Sequence, residues 1–185
     1  TPHHLYFDES ELSSYDPIFK VNPPLRTEND VLALRQALAS GVIDIVATDH
    51  APHTMEEKSK PYFEAPSGGP LIQHSLPAMM EFWKEGKISL EQIVQKMSHN
   101  PAILFRIEER GFIREGYWAD LVIVDPNAPW VVAKENILAK CGWSPLMGQR
   151  FRSSVTETFV SGNLVYQNGN LTVEQPGARL TFKRK

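Results

Sequence analysis

The sequence predicts an α/β fold, with helices and buried strands alternating in its first part and a smaller β-rich region behind them. Two observations predict the first part. Thr27 suits a helix N-cap with Asp30 three positions on, and Val31, Leu34, Ala37 and Leu38 repeat as a helical apolar stripe. The stripe stops at Ser40-Gly41 and gives way to residues 43–47, an apolar run with β-branched members, as expected of a strand covered on both faces. The third observation is a change of texture after Ile107, where Gly111, Gly116, Gly162 and Gly169 separate short β-rich runs.

Residues 1–7 read as the end of a strand and residues 8–15 as a polar loop. Asn22-Pro23-Pro24 cannot be helix interior, because two prolines remove two donors and favour extended backbone before them. After the helix from Thr27 and the strand at 43–47, residues 50–70 read as loop throughout; long ordered loops often carry function. Residues 76–84 are predicted helical, with Pro77 in the first turn. Ser89 opens another helix through Ile93, Val94 and Met97, which Asn100-Pro101 interrupts before a short restart at 102–105. Strands are predicted at 121–124, 130–132, 155–160 and 164–166, with a hairpin at Gly162-Asn163 and a turn at Asn168-Gly169. The expected organisation is therefore residues 1–106, a small β-domain at 107–174, and a polar, basic surface tail at 175–185.

Composition excludes several classes. The 185 residues carry a net charge of −3 with scattered Lys and Arg, which lacks the basic face a nucleic-acid partner needs. No apolar run is long enough for a membrane span, and no signal pattern stands at the start. Cys141 is the single cysteine, so no internal disulfide forms, which fits a reducing, cytoplasmic compartment. The start at Thr1-Pro2-His3-His4, without an initiator Met, reads as a piece of something longer.

Chemistry concentrates where the apolar run 43–47 ends, in Thr48-Asp49-His50-Ala51-Pro52-His53. A strand that delivers an acid and imidazoles at its C-terminal end resembles an active-site strand of a βα barrel. There Asp49 can ligate a divalent metal and move a proton; capping the loop through backbone amides is the competing reading. His50 and His53 add ligand or hydrogen-bonding capacity, with solvated loop histidines as the alternative. His3 and His4 are discounted as a metal pair, since neighbours on a strand face opposite ways, and His74 and His99 fall on helical patterns as structural residues. Asn22 offers a donor and an acceptor that suit a cyclic imide or ureido group, or else it makes an Asx-turn. Ser67-Gly68-Gly69 can present backbone donors, although it lacks the setting of a phosphate loop.

These motifs resemble the amidohydrolase superfamily, and within it dihydroorotases. The resemblance rests on Thr1-Pro2-His3-His4-Leu5, Lys20-Val21-Asn22-Pro23-Pro24-Leu25-Arg26 and Ala47-Thr48-Asp49-His50-Ala51-Pro52-His53. His99-Asn100-Pro101-Ala102 and the run from Gly116 to Asp125 resemble the exit from the barrel into a small β-domain. The implied fold is the C-terminal strands and helices of a TIM-type (β/α)8 barrel plus that domain. The implied activity is the reversible cyclisation of N-carbamoyl-L-aspartate to dihydroorotate in pyrimidine biosynthesis, with zinc as cofactor. Residue by residue, Asp49 matches a metal ligand that is also the catalytic acid and base. His53 matches the histidine that binds the substrate carboxylate, Asn22 an asparagine on the pyrimidine ring, and Ser67 and Gly68 a backbone contact. The chain departs from the family in having Pro66-Ser67-Gly68 where Pro-Phe-Gly is common.

The other metal ligands of the family fall before the region matching Thr1, so the chain alone is expected to be inactive. Two alternatives stay open: another cyclic amidohydrolase (hydantoinase, dihydropyrimidinase or allantoinase), or a catalytically silent scaffold. The expected partners are a small-molecule substrate, no nucleic acid and no membrane, with homo-oligomerisation or association with the missing N-terminal part. Unpaired sheet edges at 1–7 and 43–47 motivate that last expectation.

Overall fold

The computed structural model describes residues 1–172 and 177–183. Six helices precede six strands, and the mixture of the two is α/β as the sequence predicts. The helices are α1 (Pro2–Tyr6), α2 (Glu28–Ala39), α3 (Met55–Lys58), α4 (Ser75–Lys84), α5 (Leu90–Val94) and α6 (Asn100–Leu104). The strands are β1 (Leu121–Asp125), β2 (Trp130–Val131), β3 (Arg150–Phe151), β4 (Ser154–Val160), β5 (Asn163–Gln167) and β6 (Asn170–Leu171). No helix among the described residues is long and apolar enough to cross a membrane.

The start of the chain differs from expectation. Residues 2–6 are helical rather than strand, with Pro2 in the first turn, where its missing N–H costs nothing and its fixed φ suits the helix. The turn is closed by the Phe7 N–H on the His3 carbonyl at 2.9 Å. Leu5 is buried against α2 and α4, and Arg35 of α2 donates from Nε to the Leu5 carbonyl at 2.7 Å. Helix α2 forms where predicted, closed by the reciprocal Thr27–Asp30 capping box. Val31 and Leu38 are buried, whereas Leu32 and Leu34 face outward.

Residues 44–49, where a strand was expected at 43–47, adopt neither helix nor strand, and the next residue, His50, bridges Gly69 in parallel. A helix meets their backbone groups instead. Residues 90–104 form one continuous helical segment: α5, a π-helical stretch at Gln95–His99, and α6. Pro101 therefore does not interrupt the helix as expected. The Asn100 N–H reaches back to the Gln95 carbonyl, and the next donor in that register would be Pro101, which has no N–H. The Lys96 carbonyl is thereby left over, and the Val46 N–H donates to it at 3.1 Å. Lys96 Nζ donates to the Ile43 carbonyl, and Asn100 Nδ2 to the Asp44 carbonyl at 2.7 Å.

The hydrophobic interior has two clusters. Leu5, Leu38, Val46, Met79, Met80, Phe82, Ile88 and Ile93 form the first. Leu71, Ala78, Val132, Leu146 and Phe151 form the second, on the other side of α4. Helix α4 is thus covered on two faces, and its Glu81 carboxylate accepts from the Arg152 N–H at 2.6 Å and from Arg152 Nε at 2.7 Å. Strands β1, β4, β5 and β6 form an antiparallel sheet in that order, and β2 and β3 form a separate pair. Both tight turns of the larger sheet, Ser161-Gly162 and Asn168-Gly169, hold positive φ at two successive residues, as twisted hairpins require. The short strands β3 and β6 were not predicted; each contains only two residues, too few for a periodic signal.

Of the tail, Gln175 and Pro176 lie outside the described residues, as do Arg184 and Lys185. Residues 177–183 are exposed, and Phe182 bridges Ile107. Buried Arg110 pairs with Asp120, lies under the Trp118 ring and donates to Ser161 Oγ at 3.1 Å, fastening the β4–β5 turn to the segment before β1.

Gly111 has φ +80° and packs on the π-helical turn, where an added Cβ would stand 2.4 Å from Ala102 Cβ and 2.9 Å from the Ser98 carbonyl oxygen. Gly111→Ala is expected to destabilise the chain by about 3 kcal/mol in urea unfolding. Gly116→Ala, with a similar φ of +82° and open space around it, is the control and should cost about 1 kcal/mol. Equal losses would contradict the packing account.

Candidate active site

The segment 43–48 leads into Asp49, whose φ of +50° turns the chain sharply into the following loop. A non-glycine residue held in the left-handed region carries strain, which is common where a side chain must point in one direction. The Asp49 side chain is exposed and accepts no hydrogen bond among the described residues, so it does not cap the loop.

His50 has a structural task. Its Nδ1 accepts from the Leu71 N–H at 3.1 Å and the Ile72 N–H at 3.2 Å, so it ties down the turn that leads into α4. His53 faces the other side of the loop, and its Nε2 donates to the Ser67 carbonyl at 3.1 Å. Its Nδ1 lies 3.6 Å from Glu57 Oε2. Glu57 belongs to α3, a helical turn within the stretch expected to be all loop; the reciprocal Thr54–Glu57 capping box explains it. The tertiary structure therefore brings His53 and Ser67 into contact across 14 residues.

Gly68 is held closely. With φ +125°, an added Cβ would meet Ala51 Cβ and the Ala51 carbonyl oxygen at 2.7 Å, so no other residue fits without moving the backbone. Its N–H already donates to the Lys20 carbonyl at 2.9 Å. That bond joins Gly68 to the segment that carries Asn22, whose exposed amide makes no hydrogen bond among the described residues. Asn22 precedes Pro23 through a cis peptide bond, and the Pro23 carbonyl accepts from His4 Nε2 at 2.8 Å.

Two lysines missed by the sequence reading organise this loop. Lys58 is buried and donates from Nζ to the carbonyls of Gly68 at 3.0 Å, Pro66 at 3.1 Å and Lys20 at 3.3 Å. The Trp143 ring covers its head at 5.6 Å, and Trp143 Nε1 donates to the His53 carbonyl at 2.7 Å. Desolvation, then the neighbouring Lys20 ammonium, lower the Lys58 pKa to about 8 from 10.5, with Asp16 opposing. Lys20 Nζ donates to the carbonyls of Tyr62 and Ala65 at 2.6 and 2.7 Å. In sequence Lys58 sits within Glu56-Glu57-Lys58, which looks like solvated charge; nothing local marks it as buried.

The remaining histidines are accounted for. On helix α1, His3 and His4 do come together, but on Thr1 Oγ1, at 3.2 and 2.6 Å. The expectation that they face apart assumed a strand. His99 stacks on Phe112 with ring centroids 4.3 Å apart. His74 is buried near Trp130 and Phe151, with Nδ1 3.0 Å from Ser144 Oγ. Among the described residues no group of three or more His, Cys, Asp or Glu could hold a metal ion.

Residues 9–165 match the model of the amidohydrolase family. The chain belongs to the amidohydrolase family. This amidohydrolase is 43% identical over 168 residues to a dihydroorotase of Sulfurihydrogenibium sp. (strain YO3AOP1), covering 91% of this chain and 40% of that protein. It is 39% identical over 173 residues to a dihydroorotase of Mycobacterium tuberculosis (strain ATCC 25618 / H37Rv), covering 92% and 40% of the two chains. The solved structure of an L-hydantoinase from Arthrobacter aurescens superposes with a TM-score of 0.90 at 31% identity, over 97% of this amidohydrolase and 41% of that chain. A dihydropyrimidinase from Brevibacillus agri NCHU1002 gives 0.85 at 25% identity, over 100% and 43%. The amidohydrolase chain thus spans about 40% of the length of the curated relatives it matches.

Burial lowers the His74 pKa to about 4, below its ordinary 6.5. As pH falls through 6.5 the unfolded chain takes up a proton that the folded chain refuses, so folding should weaken progressively down to about pH 4. The loss is on the order of 3 kcal/mol. Buried His3, lowered to about 3, acts in the same direction. Urea unfolding between pH 7.5 and 4.5 measures this slope, and His74→Asn should flatten it; an unchanged slope would refute the assignment.

Proposed function

We propose that this chain is the C-terminal part of a dihydroorotase, which reversibly cyclises N-carbamoyl-L-aspartate to dihydroorotate in pyrimidine biosynthesis. The observation that carries the reading is the contact between His53 and Ser67 on the loop leaving Asp49, in a chain 43% identical to a dihydroorotase. We further propose that residues 1–106 belong to a TIM-type barrel, residues 107–174 to a small β-domain and residues 175–185 to a tail, in a cytoplasmic enzyme.

In this proposal each residue has a task that its surroundings permit. Asp49, exposed and without a hydrogen-bond partner among the described residues, is free to take and return a proton. In the hydrolytic direction, water adds to the ring carbonyl carbon and the carbon–nitrogen bond breaks. Asp49 accepts the proton of the attacking water and gives it to the departing nitrogen. His53 Nε2 is committed to the Ser67 carbonyl, and its Nδ1 side meets only the long contact to Glu57 at 3.6 Å, which a substrate carboxylate can replace. The free Asn22 amide matches the ureide edge of the ring with one donor and one acceptor. Ser67 and Gly68 set the loop backbone against the ring.

The residues described here do not by themselves fit a metal ion, since Asp49 is the one candidate ligand and zinc sites gather three or four. In this proposal the further zinc ligands come from the rest of the protein. Large apolar surfaces support such association. A cleft of about 1080 Å³ runs between α4 and the sheet, and exposed Val122 and Leu171 line it. Patches of this kind mark surfaces that another segment or subunit covers.

The isolated 185-residue chain should contain no stoichiometric zinc by metal analysis and should not hydrolyse dihydroorotate; loaded zinc with turnover would sink this arrangement. The hydantoinase likeness gives a second reading, a cyclic amidohydrolase acting on neutral rings. His53 separates the two. In the complete enzyme, His53→Asn should raise KM for dihydroorotate by roughly a hundredfold, with far less effect on a neutral hydantoin. Equal losses would favour the second reading.

A further inference from the structure

We propose that Lys58 is the positioning residue of the substrate pocket, its ammonium clamping the Asn22 segment, the Ser67–Gly68 loop and the His53 turn into one rigid unit. The geometry carries this. Lys58 Nζ donates to three backbone carbonyls from two segments far apart in sequence, Lys20 on one side and Pro66 and Gly68 on the other. Lys20 stands two residues before Asn22, and Pro66 and Gly68 flank Ser67 on both sides. The third connection runs through Trp143, whose ring lies over the ammonium and whose Nε1 holds the His53 carbonyl. Three candidate substrate contacts therefore share one buried cation, which touches no candidate substrate atom itself.

A lysine head has three hydrogens, and three carbonyls at 3.0–3.3 Å use all of them. A solvated lysine would not order a loop in this way. Lys58 is about 1% exposed and the three bonds it makes are partly buried, so losing the ammonium removes the one side chain that joins these carbonyls.

The role in substrate binding rests on the dihydroorotase reading, whereas the clamp itself does not, and two measurements keep them apart. In the 185-residue chain, hydrogen exchange of peptides covering residues 59–68 should accelerate at least about tenfold in Lys58→Met, while α4 peptides stay unchanged. Unchanged loop exchange would overturn the clamp. Lys58→Gln, which keeps two N–H donors, should fall between the wild type and Lys58→Met, and serves as the test if the methionine variant does not fold.

In the complete enzyme, Lys58→Met should raise KM for dihydroorotate by roughly tenfold or more with kcat within about threefold. Metal content should stay at the wild-type level, and Lys58→Arg should recover most of the lost affinity. A fall in kcat at constant KM would overturn the positioning role. If the wild-type enzyme does not act on dihydroorotate at all, the functional reading fails, and the exchange measurement still decides the clamp.

Discussion

A backbone needs partners for its N–H and C=O groups, and the segment 43–49 finds them on a helix rather than on a neighbouring strand. Everything at the candidate site depends on that arrangement, because this segment delivers Asp49. The cause lies in a single residue type. Pro101 has no N–H, the helix around it relaxes into a π-helical turn, and one spare carbonyl at Lys96 becomes available to Val46. Lys96 and Asn100 supply the two further donors. A helix interruption in sequence terms is thus a docking point in structural terms.

The loop beyond Asp49 meets the same problem in another way. It is long, polar and turns back on itself, so its carbonyls converge inward. Two lysines take them up, Lys58 more deeply than Lys20. Burial makes this costly, as the lowered Lys58 pKa of about 8 indicates. A buried ammonium with every hydrogen used exchanges stability for a fixed geometry, which the proposed substrate contacts require.

Much of the fold was legible because short-range chemistry dictates it. The Thr27–Asp30 and Ser89–Gln92 capping boxes, the Pro77 first turn and the Asn168-Gly169 turn are local patterns, and each forms where it was read. The two strand expectations failed for one reason. Residues 1–7 and 43–47 have strand composition, but a strand exists only where a second one lies beside it. Composition also made Glu56-Glu57-Lys58 look like solvent-facing loop, although Thr54 and Glu57 carried a capping signal that could have been read.

The sequence by itself marked the candidate reactive segment: an apolar run ending before Asp49, with His53 four residues on and Asn22 before two prolines. The motifs are carried by residue type and spacing, and the roles proposed for these residues come from the family resemblance of those motifs. Tertiary structure alone decided that His50 holds a turn, that His53 meets Ser67, and that Lys58 gathers the carbonyls of Lys20, Pro66 and Gly68. Each of these is a contact between residues 8 to 38 positions apart, and no local pattern encodes which carbonyl a buried ammonium will find.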